Sequence, residues 1–198
     1  MKKEFQIISE LIENNTRVLD VGCGDGTLMK FLKDKKNVDT RGLEISKENV
    51  QSCISKGLSI IEGNAEKDLL QFPNLSFDYV VLSQTLQAFY DPEKVINDLL
   101  RVAKKAIVTI PNFGYWKIRI HLFLKGTMPV TDALPNEWYN TPNLHMCSIK
   151  DFSNFCLKKK INMTKSIALN GENTSTINKG NINIKNLSSQ LGIFLIKK

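Results

Sequence analysis

The chain has 198 residues, 42% of them hydrophobic and 24% charged, which suits one globular domain with a full-sized core. Its formal charge of +7 invites a nucleic-acid footprint, but the lysines fall into separate groups: Lys33, Lys35 and Lys36; Lys104 and Lys105; Lys158 to Lys160; Lys197 and Lys198. Three groups are expected at helix C-termini, where cations offset the negative end of the macrodipole, whereas a footprint would gather them on one face, so no nucleic-acid partner is expected.

The opening "MKKEFQIISELIENN" breaks its apolar residues with Glu4, Glu10 and Glu13, so no secretory h-region can form, and the apolar runs elsewhere are strand-sized. A cytoplasmic protein with no membrane span is expected. Cys23, Cys53, Cys147 and Cys156 include no C-x-x-C pair, and the only histidines are His121 and His145. Free thiols are expected, with no metal site.

In chain order, "RVLDV", "TRGLEI", "LSIIEGN", "FDYVVLS" and "KAIVTIPN" read as five strands, rich in Val, Ile and Leu as buried parallel strands are. Helical segments near 27–35, 47–56 and 92–104 alternate with them, the rhythm of a doubly wound sheet. Ser46 is placed to N-cap the second helix and Asp91 the third, with Pro92 at the first helical position, where its missing N–H does no harm. From Pro111 to Cys147 an irregular insertion holds four of the six prolines, both tryptophans and both histidines. Segments of this kind are more often functional than idle. "SIKD", Ser148 to Asp151, then predicts a capping-box helix over 149–158. Two further strand candidates, "INMTKSIALN" and "IFLIKK", are separated by a polar stretch, 170–190, that reads as a solvated loop.

The chemistry lies in Gly22-Cys23-Gly24-Asp25-Gly26, directly after the first strand and before a helix, where an open α/β sheet binds its cofactor. A dinucleotide fingerprint would place its third glycine at position 27, which is Thr27. The tighter G-x-G-x-G spacing, preceded by Asp20, is similar to motif I of the class I S-adenosylmethionine (SAM) methyltransferases. That resemblance implies a ribose-binding carboxylate at the end of the second strand, here Glu44, followed by Ile45. It also implies an adenine acceptor after the third strand, here Asn64 in place of the usual Asp, followed by Ala65. Ser83 and Gln84, at the end of the fourth strand, are expected to line the same cleft. The cofactor set is thus Asp20, Gly22, Cys23, Gly24, Gly26, Glu44, Ile45, Asn64, Ala65, Ser83 and Gln84.

The stretches "VLDVGCGDG", "FDYVVLSQTLQAFYDPEKV", "IPNFGYWKIRIHLFLKGTMPVT" and "ALPNEWYNTPNLHMCSIKDF" closely resemble the methionine biosynthesis MetW family. The resemblance implies a Rossmann-like class I methyltransferase fold: a seven-stranded, mostly parallel sheet in the order 3-2-1-4-5-7-6, the last strand antiparallel, with helices on both faces. It implies one SAM-binding domain over 1–198, with 111–147 as lid or interface. SAM or S-adenosylhomocysteine is the expected cofactor, and homoserine O-acyltransferase (MetX) the expected protein partner.

Two roles follow from the residues. Tyr115, Trp116, Trp138 and Tyr139 suit either a substrate lid or a protein interface. His145 is the candidate general base if the chain is a methyltransferase acting on a small-molecule acceptor, though structure would equally explain it, while the apolar neighbours of His121 suggest a packed, satisfied histidine. The preferred role, implied by the resemblance, is a SAM-binding activator of the acyltransferase acting through 111–147. "SQTL" after the fourth strand departs from the [DN]-P-P-[YF] stretch of exocyclic-amine methylating enzymes, which argues against nucleic-acid amine methylation.

Overall fold

A computed structural model describes residues 2–131 and 134–198; residues 132 and 133, inside the expected insertion, lie outside the described part. The chain runs α1 (Lys3–Leu11), β1 (Arg17–Val21), α2 (Thr27–Lys36), β2 (Asp39–Glu44), α3 (Lys47–Ser55), β3 (Ser59–Glu62) and α4 (Ala65–Asp68). It continues through β4 (Phe77–Ser83), α5 (Pro92–Val102), β5 (Ala103–Pro111), α6 (Trp116–Lys125), α7 (Ile149–Lys158), β6 (Asn162–Asn170), β7 (Asn173–Thr176), α8 (Ile182–Ser188) and β8 (Leu191–Lys197).

The strands form one sheet in the order β3-β2-β1-β4-β5-β8-β6-β7. β1 to β5 pair in parallel, and β8 enters antiparallel between β5 and β6. Setting β7 aside gives the expected order, antiparallel last strand included. Alternate residues of the central strands face opposite layers, as the two-residue period of a strand requires. Ala106, Val108 and Ile110 of β5, with Phe194 and Ile196 of β8, pack in one core with α5 and α7. Ile107, Ile193 and Leu195 pack in the other, with Ile7, Ile8 and Leu11 of α1 and Leu28 and Leu32 of α2. Both faces are covered, which is why these strands carry apolar residues without alternation.

Several expectations are corrected. The sheet has eight strands, not seven, because the 170–190 stretch is not a loop. β7 forms a hairpin with β6 across Gly171, whose φ of +57° suits the tight connection, and α8 follows. α8 carries little apolar periodicity and is held by polar bonds instead. Asn112 Nδ2 donates to the carbonyls of Asn186 and Ser189, at 2.8 and 2.7 Å, and the Lys150 amide donates to Asn186 Oδ1. α1 had no counterpart in the predicted elements, since Lys3, Glu4 and Glu10 interrupt its apolar residues. The insertion contains a regular helix, α6, ended by Gly126 at φ +65°. Lys104 and Lys105 lie in β5, not at a helix end, where they pair with Asp78 at 2.7 Å and Glu13 at 3.0 Å.

The capping box is present: the Asp151 amide donates to Ser148 Oγ and the Ser148 amide to Asp151 Oδ2. Ser148→Ala is expected to lower stability by about 1 kcal/mol, read as a shift of the urea midpoint at unchanged slope.

Candidate functional site

Parallel pairing of Val21 with Leu43 brings the loops after β1 and β2 side by side at one edge of the sheet. The Gly22 amide fixes their spacing by donating to the Leu43 carbonyl at 2.7 Å. Gly22 and Gly24 both adopt positive φ, +68° and +56°. At Gly22 a Cβ would stand 2.8 Å from Thr85 Cγ2, so only glycine lets the loop after β4 approach. At Gly24 the space is open, and the backbone angle alone selects glycine.

Glu44 joins the two loops. Its Oε2 accepts from the Gly24 amide at 2.8 Å, and its Oε1 accepts from the Ile45 and Ser46 amides, each at 2.9 Å. A carboxylate offers about four acceptor positions, so one remains for a ligand hydroxyl. Asn64 Oδ1 caps α4 by accepting from the Glu66 amide at 2.9 Å and keeps a second lone pair. The Ala65 amide is among the first of α4 and has no acceptor within the helix.

These groups surround a cleft of about 430 Å³. Of the expected cofactor residues, Gly22, Gly24, Glu44, Ile45, Asn64 and Ala65 line it. Asp20, Cys23, Gly26, Ser83 and Gln84 do not. Cys23 packs beneath the loop with Met29, Cys53 and Leu58, and burial pushes its thiol pKa up, so it stays protonated. Ser83 Oγ and Gln84 Nε2 are turned away to donate to Glu4, at 2.8 and 2.6 Å, and Thr109 Oγ1 adds a third bond. Glu4 is buried and comes from α1, so nothing in the local sequence pointed to it. The cleft also takes Thr85, Ala88, Phe89 and Tyr90 from the loop after β4, none of them among the expected cofactor residues.

Asp20 sits under the glycine loop, 2% exposed, and its pKa is pushed up to about 7, first by burial and then by the charges of Glu44 and Glu4. Asp25, at the outer side of the loop, goes the other way, to about 2, held ionised chiefly by its bond to Lys56 and by Thr27. His145 is exposed, with Nε2 3.4 Å from the Tyr90 carbonyl, and it lines a second cavity behind the cleft. His121 is not packed in the core: it lies half-buried on α6, 3.2 Å from Thr127 Oγ1. Of the four aromatics, Tyr115 is buried, whereas Trp116, Trp138 and Tyr139 are exposed.

A family model described as methionine biosynthesis protein MetW matches residues 2–196. The bifunctional methionine biosynthesis protein MetXA/MetW of Rhodopirellula baltica is 33% identical over 153 residues, covering 73% of this chain and 25% of that protein. A demethylmenaquinone methyltransferase of Listeria welshimeri is 29% identical over 134 residues, covering 60% of this chain and 56% of that one. The chain thus spans about a quarter and about half of these two relatives. Among solved structures, an S-adenosylmethionine-dependent methyltransferase from Mesorhizobium loti shares the fold, with a TM-score of 0.71 at 12% identity over 99% of this chain and 98% of that one.

The raised pKa of Asp20 makes stability depend on pH. The folded state holds this proton up to about pH 7, whereas the unfolded chain releases it near the ordinary value of 3.8, so folding is favoured most at low pH and loses that contribution as pH rises between the two. Asp20→Asn is expected to flatten this part of the stability curve, removing at most about 4 kcal/mol of pH dependence. Urea titrations of both proteins between pH 4 and 8 measure it; parallel curves would show that Asp20 ionises normally.

Proposed function

The chain belongs to the MetW family, and we propose that it is a SAM-binding, one-domain subunit of methionine biosynthesis that activates homoserine O-acyltransferase (MetX) through the face built by residues 111–147. The observation that carries the partnership is the exposure of that segment. Phe123 is 87% exposed, Trp138 72% and Tyr139 70%, with Lys117, Arg119 and Lys125 among them. Aromatic side chains with arginine are what protein interfaces use, and monomers rarely leave large apolar patches to solvent. The relative that carries both names in one polypeptide, MetXA/MetW, supports this choice of partner. Four free thiols suit a reducing cytoplasm.

The cleft fits SAM on its own chemistry. Glu44 keeps one acceptor position for a ribose hydroxyl, and Asn64 with the Ala65 amide presents an acceptor and a donor to an adenine edge. Ile45, 66% exposed at the rim, offers an apolar surface to a purine. Beneath the loop, Asp20 supplies a carboxylate that a cationic ligand would help to ionise. SAM, when bound, supplies a positively charged sulfonium and an electrophilic methyl group. In a subunit that only senses, the same contacts suffice to couple SAM to the partner, and that coupling would be reciprocal.

The second reading, a methyltransferase on a small-molecule acceptor, draws support from the demethylmenaquinone methyltransferase likeness. Against it, His145, the candidate base, lines the cavity behind the cleft. Catalysis by alignment alone would need no base.

Homoserine acylation by the acyltransferase of the same organism, with and without this protein and with and without SAM, decides between them. Strong dependence on this protein is expected; no dependence, with sustained S-adenosylhomocysteine formation from a cell extract, would establish the methyltransferase. Glu44→Ala is expected to weaken S-adenosylhomocysteine binding by about 1 to 3 kcal/mol in calorimetry, and unchanged affinity would remove Glu44 from the cofactor site. Trp138→Ala is expected to reduce co-purification with the acyltransferase, and full retention would move the interface elsewhere.

A further inference from the structure

The loop after β4 has two sides. Thr85, Ala88, Phe89 and Tyr90 face the cofactor cleft, while Leu86 and Gln87 face a separate cavity of about 210 Å³ behind it. Ile96 of α5, Ile110 of β5 and Phe152 and Phe155 of α7 make most of the wall apolar, and His145, Cys147 and Asp151 complete it.

Gln87 is the buried polar residue of this wall. It is 6% exposed and firmly held: Nε2 donates to the Gln84 carbonyl at 2.6 Å, and its own carbonyl accepts from the Leu144 and His145 amides at 2.8 and 3.0 Å. Its Oε1 is buried with no hydrogen-bond partner among the described residues. Reversing the amide would give up the Gln84 bond and leave an amino group unpaired instead. A buried acceptor left open is costly, and a ligand donor would satisfy it.

We propose that this cavity binds a small apolar molecule carrying one N–H or O–H donor, with Gln87 Oε1 as the acceptor. The volume lies below the roughly 300 Å³ at which drug-sized pockets begin, so the ligand is about the size of a single substituted ring. Charge narrows it further. Asp151 lines the cavity beside His145, and among the described residues no lysine or arginine does, which disfavours an anion. Burial pushes the Cys147 thiol up to about 12, so it remains neutral and does not attack a ligand. Because the loop is shared, occupation of the cavity would press on one wall of the cofactor cleft, but the site itself is independent of any cofactor.

Three probes of one shape test the assignment on the full chain: p-cresol, toluene and p-toluate, followed by amide chemical shifts in isotope-labelled protein without SAM. We expect saturable shifts at residues 86–89 and 144–147, with p-cresol about tenfold tighter than toluene and p-toluate weaker than both. Gln87→Met should bring p-cresol to the level of toluene while toluene still binds, which also reports an intact cavity. Cys147→Leu, which fills the cavity, should abolish both. Absence of saturable shifts, equal affinity for p-cresol and toluene in the unaltered protein, a preference that survives Gln87→Met, or shifts confined to the cofactor cleft would each overturn the proposal.

Discussion

A single carboxylate holds the front edge of this fold in shape. Glu44 accepts from Gly24 across the cleft and from Ile45 and Ser46 in its own loop, so two loops that follow different strands move as one. The parallel register of β1 and β2 makes this possible, since it delivers both loops to the same edge. Positive φ at Gly22 and Gly24 turns the first loop so that an amide points at the acid. Without the bridge, three buried or half-buried amides would lose their acceptor, and the cleft would lose one side.

Behind this bridge the fold accumulates negative charge in a small volume. Asp20, Glu44 and Glu4 lie close enough for the latter two to raise the pKa of the first. Glu4 is satisfied by three donors from β4, its following loop and β5, and Glu44 by three amides. Asp20 is left to meet its burial by holding a proton near neutrality. A site arranged in this way favours cationic ligands, since a positive charge nearby stabilises the ionised form.

The loop between β4 and α5 connects the remaining features. Its amides and carbonyls are anchored on three sides: Thr109 accepts from Gln84, Gln87 accepts from the 144–145 segment, and Glu66 accepts from the Asp91 amide. Through the second of these anchors the segment after the exposed aromatics is tied to a wall of the cofactor cleft. This contact links the segment 144–145 to the loop that lines the cleft.

The sequence by itself determined the alternation of strands and helices, the capping of α3, α5 and α7, and the glycine loop directly after β1, whereas the strand order followed only from the family resemblance. These depend on period, caps and turn residues within a few positions of one another, so they can be read along the chain. Tertiary structure alone decided the rest. α8 exists because Asn112 and Asn186 meet across the fold, and β7 because β6 offers it an edge. Ser83 and Gln84 leave the cleft because a glutamate some eighty positions away is buried against them. His145, the candidate general base, lines another cavity for a similar reason, since the Gln87 carbonyl holds its backbone. In each case the deciding bond joins residues far apart in the chain, and a buried polar group takes whichever partner the packing places beside it, which no local pattern records.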